Sequence, residues 1–123
     1  MTTIDPAKMA QYRETARRRQ AEREQALMEW RQQALALAHE AARLLRQRFG
    51  AERVFLFGSL ARDTAVHAHT DVDLAVWGVP ENEYLRAVNL MLDLGGPIEI
   101  DLVRLEEATP RLLETIDREG VPL

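Results

Sequence analysis

The sequence predicts an α+β fold, a small β-sheet covered by helices and preceded by one long N-terminal helix. Three observations indicate this class. Residues 6–48 contain no glycine and, after Pro6, no proline; three short runs of β-forming residues follow Gly50; and helical patterns surround the last of these runs. The 123 residues, of which 46% are apolar and 29% charged, are typical of one globular domain with an appendage.

The first element is predicted to be a helix that begins at Asp5-Pro6 and ends at Phe49-Gly50. Aspartate is a favoured N-cap, proline fits the first helical position, and glycine commonly ends a helix. An unbroken helix over this span is about 65 Å long at about 1.5 Å per residue, which is longer than a domain of this size needs.

The two halves of this helix differ in their apolar pattern. Its second half has apolar residues at every third or fourth position: Leu27, Trp30, Ala34, Leu37, Ala41, Leu44 and Leu45. The earlier run "YRETARRRQAEREQA" has almost no such stripe. We therefore predict a basic helical extension over residues 1–26 and a main domain over residues 27–123. The pattern leaves open whether the helix breaks near residues 20–26.

The rest of the chain alternates between strand and helix patterns. "RVFLF", "DVDLAVW" and "IEIDLV" are predicted to be strands. The helix before the third strand has the apolar positions Leu85, Val88 and Leu92. A last helix is predicted from Thr109-Pro110 to Gly120. Trp30 and Trp77 are expected in the core.

Charge is divided unevenly along the chain. Residues 1–50 carry ten Lys/Arg and six Asp/Glu, a net +4, whereas residues 51–123 carry six and fourteen, a net −8. An acidic main domain repels phosphate backbones, which argues against nucleic-acid binding. Arg17–Arg19 is either a solvated face or a partner contact. The chain has no cysteine, no long apolar run and no signal-peptide pattern, so we expect a cytoplasmic protein without a membrane span.

Three aspartates carry the predicted chemistry. Asp71 and Asp73 alternate with apolar residues in the second strand and therefore share one face of it, and Asp101 holds an equivalent place in the third strand. If these strands are neighbours, the three carboxylates converge, and hard oxygen ligands suit Mg²⁺ or Mn²⁺. The alternative for Asp71 and Asp73 is a solvent-exposed strand end.

A second group of residues follows the first strand. Gly58 and Ser59 place backbone N–H groups and a hydroxyl at a turn, which are groups that bind phosphates. Arg62 either reaches the same anion or makes a surface salt bridge. His67 and His69 form an H-x-H pattern whose role the sequence leaves open between a metal ligand and exposed loop residues.

These motifs together resemble the polymerase-β-type nucleotidyltransferase superfamily, and within it the minimal nucleotidyltransferase (MNT) group. The likeness lies in "GS", eleven further residues, "DVD" and a later "EID" strand, and in the ending "LLETIDREGVPL". It covers roughly residues 35–123. It implies a mixed sheet with helices, ATP bound with Mg²⁺, and partnership with HEPN-domain toxins, some of which are inactivated by transfer of AMP to a tyrosine.

The resemblance also implies roles for single residues. It assigns Gly58 and Ser59 to the phosphates, Asp71 and Asp73 to the metal, Asp101 to the metal and the attacking hydroxyl, and Arg62 to the arginine of "GSxAR". Two positions depart from the family pattern: Asp63 stands where glycine is common, and Thr70 where serine is common.

Three functions follow from these observations. The first is an enzyme that transfers AMP from ATP to a hydroxyl of a partner HEPN toxin, with Mg²⁺, and so acts as its antitoxin. The second is an antitoxin that neutralises its partner by helix packing and binds the nucleotide without catalysis. The third is a nucleic-acid-binding protein that uses its Arg-rich helix. Self-association is left open.

Overall fold

The computed structural model describes residues 5–62 and 71–123. Four α-helices are present in these residues: α1 (Pro6–Phe49), α2 (Ser59–Arg62), α3 (Tyr84–Gly95) and α4 (Pro110–Glu119). Four strands accompany them: β1 (Arg53–Phe57), β2 (Val72–Trp77), β3 (Ile100–Arg104) and β4 (Val121–Pro122). No helix among the described residues is long and apolar enough to cross a membrane.

The long N-terminal helix is continuous and has the predicted ends. The Asp5 carboxylate accepts a hydrogen bond from the backbone N–H of Ala7, with Pro6 in the first turn, as expected of an N-cap. At the other end, Gly50 adopts the left-handed conformation (φ 71°) and its N–H returns to Arg46 O. No break occurs near residues 20–26.

The four strands form one mixed sheet in the order β3-β2-β1-β4. β2 and β3 are parallel and are joined through α3, whereas β1 pairs antiparallel with both β2 and β4. The predicted α+β fold with a small mixed sheet is thus confirmed. The fourth strand was not predicted, because Val121–Pro122 is too short to have a pattern of its own.

The hydrophobic core lies on one face of the sheet, beneath α1 and α3. The predicted α1 stripe supplies it: Ala34, Ala41, Leu44 and Leu45 are buried, and Trp30 and Leu37 pack against it partly buried. Alternate strand residues such as Val54, Leu56 and Leu74 meet them from the sheet. Before Leu27, almost every residue of α1 is exposed.

One sequence prediction about the core was wrong. Trp77 is 44% exposed, because its side chain lies on the second face of the sheet, beside a cavity of about 450 Å³ shared with Phe55 and Leu113. The predicted helix α3 is present, but two of its apolar positions, Leu85 and Leu92, are 74% and 54% exposed. Its buried side chains and backbone instead belong to Ala87, Met91 and Gly95.

Small residues explain the orientation of α3. At Gly95, a Cβ atom would lie only 3.3 Å from Ile100 Cγ1, so glycine lets the end of the helix approach β3 closely. At the start of the helix, the Tyr84 hydroxyl donates a 2.6 Å hydrogen bond to Leu102 O of the same strand. These two contacts place the face with Ala87 and Met91 against the core, and Leu85 and Leu92 lie toward solvent.

Candidate active site

The register of the parallel strands places two of the predicted aspartates side by side. Asp73 of β2 is the direct partner of Asp101 of β3, and directly paired side chains lie on the same face of a sheet. Asp71 stands just before β2, next to Val72, whose N–H donates to Glu99 O at 2.9 Å. This face is opposite the core, so α1 and α3 do not cover the carboxylates.

The three carboxylates interact electrostatically. Burial raises the pKa of Asp73 to about 6, and repulsion by Asp101 and then Asp71 adds to the rise, while the positive charge of Arg62 opposes it. Burial also raises the pKa of Asp101, and the Asp71 carboxylate contributes through repulsion and a hydrogen bond. The site thus concentrates negative charge that a cation would stabilise.

The turn after β1 lies against this cluster. Phe57 pairs with Asp73, so the chain leaves β1 beside the carboxylate, and Gly58 follows with a φ of 76°. The positive φ favours glycine, and a Cβ atom at Gly58 would overlap the Asp73 carboxylate, which would then have to move. Ser59 then begins α2. The two predicted groups of residues therefore meet at one place.

Arg62, at the end of α2, forms an ion pair. Its Nη1 lies 3.5 Å from Oε2 of Glu119, at the end of α4. Sequence reasoning missed Glu119, because nothing in the pattern of α4 distinguishes it from the other acidic residues of that helix. The predicted contact of Arg62 with phosphate stays a prediction. His67, His69, Asp63 and Thr70 lie outside the described residues.

The donor chemistry of the aspartates fits a hard divalent cation, because all three offer carboxylate oxygens. Among residues 5–62 and 71–123, however, no three Asp, Glu or His side chains converge closely enough to enclose a metal ion. The aspartates nevertheless influence one another: Asp101 and Asp71 raise the pKa of Asp73, and Asp71 raises that of Asp101. Their mutual repulsion favours this open arrangement.

Known proteins share this fold. A protein assigned as a minimal nucleotidyltransferase is 34% identical, with 79% of this chain and 95% of that chain covered and a TM-score of 0.54. One chain of a toxin–antitoxin complex with AMP-PNP is 22% identical (69% of this chain and 70% of that chain covered, TM-score 0.59). One chain in the structure of a tri-AMPylated Shewanella oneidensis HEPN toxin in complex with an MNT antitoxin is 19% identical (72% of this chain and 70% of that chain covered, TM-score 0.55). No curated protein shows significant similarity to the chain.

The match to a family model covers the site. The model for polymerase beta nucleotidyltransferases matches residues 39–123, which include the end of α1 and every residue of the candidate site. The match extends over more than half of the chain. It spans all four strands of the sheet, the Gly58 turn and the paired aspartates. The chain therefore belongs to the polymerase beta nucleotidyltransferase family.

Proposed function

We propose that this chain transfers AMP from ATP to a hydroxyl group, most simply a tyrosine, of a partner HEPN toxin and acts as the antitoxin of that pair. The observation that carries the proposal is the register pair Asp73–Asp101 with Gly58 packed against Asp73. A protein that only binds a partner has no need for adjacent carboxylates that repel each other. The cytoplasmic location stays a prediction from composition.

Each residue of the site has a role in this proposal. The Gly58 turn and the Ser59 hydroxyl bind the phosphates, and Arg62 contributes a positive charge to them. Asp71, Asp73 and Asp101 hold Mg²⁺, or alternatively Mn²⁺. Such an ion, when bound, neutralises the carboxylates and stabilises charge on the transferred group.

Asp101 has a second role, as the base that accepts the proton of the attacking hydroxyl. Its raised pKa brings it closer to the range in which a carboxylate accepts a proton at neutral pH. The new bond joins the acceptor oxygen to the α-phosphorus of ATP, and the bond from that phosphorus to the pyrophosphate breaks.

Two solved relatives support the partner. One is a toxin–antitoxin complex with AMP-PNP, and the other holds a tri-AMPylated HEPN toxin with an MNT antitoxin. We extend the HEPN partner and the transfer of AMP to this chain because of its family membership and its site. We further propose that residues 27–123 form the catalytic domain and residues 1–26 a separate basic extension.

The test is co-expression of this chain with its HEPN partner, followed by mass spectrometry of the partner. The wild-type chain is expected to add AMP, and the double variant Asp71→Asn/Asp73→Asn to add none, because the metal loses two of its proposed carboxylate ligands. The matched control Asp93→Asn/Asp117→Asn removes the same charge from exposed positions and should retain transfer. Full modification by the Asp71/Asp73 variant would contradict the catalytic assignment.

The exposed half of α1 favours a second candidate, neutralisation by binding alone. Residues 6–26 offer a long helical surface that the domain does not cover. The same co-expression separates the two functions, since growth of the host reports on the toxin. If the Asp71/Asp73 variant leaves the partner unmodified and still abolishes its toxicity, binding is the function and transfer is not needed.

A further inference from the structure

One ion pair links the candidate site to the C-terminal part of the chain. Arg62 Nη1 and Glu119 Oε2 are 3.5 Å apart, and the two side chains are 48% and 27% exposed. In the described part of the chain, Oε2 of Glu119 is shielded from solvent and accepts no hydrogen bond, so the Arg62 guanidinium is the charge that compensates it. Oε1 lies 3.5 Å from Arg118 Nη2.

Both partners of this pair are anchored to the same strand. Arg62 belongs to α2, which follows β1 directly, and its N–H donates to Gly58 O at 3.2 Å. Glu119 stands two residues before Val121, which pairs with Leu56 of β1. The separation of the two side chains is therefore set by β1 and not by a long loop.

Gly120 makes the connection between α4 and β4 tight. Its N–H donates a 2.7 Å hydrogen bond to Ile116 O, which closes the last turn of α4. A Cβ atom at this position would overlap the same Ile116 carbonyl, so only glycine fits. The tight connection holds Glu119 in place relative to β4 and hence to Arg62.

Arg62 also interacts electrostatically with the carboxylates. Its charge lowers the pKa of Asp73 against the effect of burial, and its backbone N–H donates to the O of Gly58, the glycine packed against Asp73. An arginine has five N–H donors, and the 3.5 Å approach to Glu119 uses Nη1. Five donors are more than one ion pair needs, so the same guanidinium can also bind an anion. Ordering a long side chain on binding costs free energy, which a pre-formed contact reduces.

We propose that Glu119 is a positioning residue that holds Arg62 ready for the phosphates of the nucleotide. This inference rests on the proposed function, since it requires a nucleotide at the site. Glu119 itself touches no phosphate. The opposite effect, in which Glu119 holds Arg62 away from the nucleotide, is an outcome that the test distinguishes.

A double-mutant cycle on the full chain tests the inference, with Mg²⁺–AMP-PNP as the probe and calorimetry as the measurement. Arg62→Gln should weaken binding about tenfold or more, as expected for loss of a charge-assisted hydrogen bond. Glu119→Gln should weaken it about two- to fivefold, the effect of a partly exposed ion pair. In the Arg62→Gln background, Glu119→Gln should have no further effect.

Two controls accompany the cycle. Glu114→Gln removes the same charge from the same helix, and Arg118→Gln removes the other ion pair of Glu119; neither should change affinity. Glu119→Asp keeps the charge but withdraws it from Arg62 by one methylene group. Glu119→Asp should weaken binding as Glu119→Gln does. If circular dichroism shows that Glu119→Gln is unfolded, Glu119→Asp takes its place in the cycle.

The other possible results contradict either the positioning role of Glu119 or the proposed function. Unchanged or tighter binding by Glu119→Gln, or an equal loss in both backgrounds, overturns the positioning role while the nucleotide site stands. A wild-type chain that does not bind Mg²⁺–AMP-PNP overturns the proposed function, and the inference with it. A merely structural role of Glu119 would lower affinity whether or not Arg62 is present.

Discussion

At the scale of single residues, the Asp73 carboxylate lowers the stability of the fold, although the proposed function requires it. It lies in a strand between apolar residues, and burial and neighbouring carboxylates raise its pKa to about 6. The folded chain therefore binds this proton more tightly than the unfolded chain, whose Asp73 has the ordinary value of 3.8. By linkage, stability falls as pH rises from about 4 to about 6 and stays reduced at higher pH.

Asp73→Asn should accordingly stabilise the chain in EDTA at about pH 7.5, where the carboxylate is charged. We expect the Tm to rise by about 3–6 °C, or about 1 kcal/mol after allowing for screening of this half-buried side chain. The gain should shrink at about pH 4, where the carboxyl group is largely protonated in the folded chain. Thermal unfolding followed by circular dichroism measures both. The exposed control Asp93→Asn should show neither effect, and a pH-independent gain would contradict the assigned cause.

At the scale of elements, α3 illustrates how packing selects one face of a helix. The helix carries leucines around much of its surface, so its hydrophobic pattern allows more than one orientation. The contact of Tyr84 with Leu102 O and the close approach at Gly95 select the face of Met91. Met91 is fully buried, whereas Leu92, its neighbour in sequence, is more than half exposed.

These two neighbours form a matched pair for mutation. Met91→Ala should lower the free energy of unfolding by about 2–4 kcal/mol, because it leaves a cavity in the core. Leu92→Ala should cost about 0.5 kcal/mol or less, because the side chain already contacts water. Urea unfolding at equilibrium compares the variants under identical conditions. Equal losses for both would mean that α3 does not pack with the face of Met91 toward the core.

At the scale of the whole molecule, the chain combines a packed domain with a projecting helix. The helix continues for more than twenty residues before its first contacts with the core, and that part has no apolar stripe. Side-chain hydrogen bonds such as Gln20 to Glu24 run along it. Such local bonds add little to an isolated helix, whose nucleation is costly. The extension is therefore expected to gain most of its stability from a partner or from a second copy.

Deletion of residues 1–24 tests this division. The truncated chain should remain folded and should still bind Mg²⁺–ATP, because the buried part of α1 and the three aspartates are kept. Its assembly with the HEPN partner or with itself should weaken. Circular dichroism reports the fold and light scattering the assembly. An unfolded product would mean that the segment belongs to the core, and unchanged assembly would mean that it is only a tail.

The sequence by itself determined the features that depend on neighbours along the chain. The ends of α1 follow from Asp5 and Gly50, because capping is a local hydrogen-bonding effect. The two-residue period of each strand places Asp73 and Asp101 on the faces opposite their buried neighbours, whereas their position side by side comes from the pairing of β2 with β3. The glycine turn at Gly58 was also predicted, although its close contact with Asp73 was not.

Only the tertiary structure decided the features that join distant parts of the chain. The orientation of α3, the exposure of Trp77 and the pairing of β4 with β1 each depend on which surfaces meet. The Arg62–Glu119 ion pair spans 57 positions of sequence and has no local signal. Contacts of this kind arise from packing between elements, because a periodic pattern specifies which residues share a face but not what that face will contact.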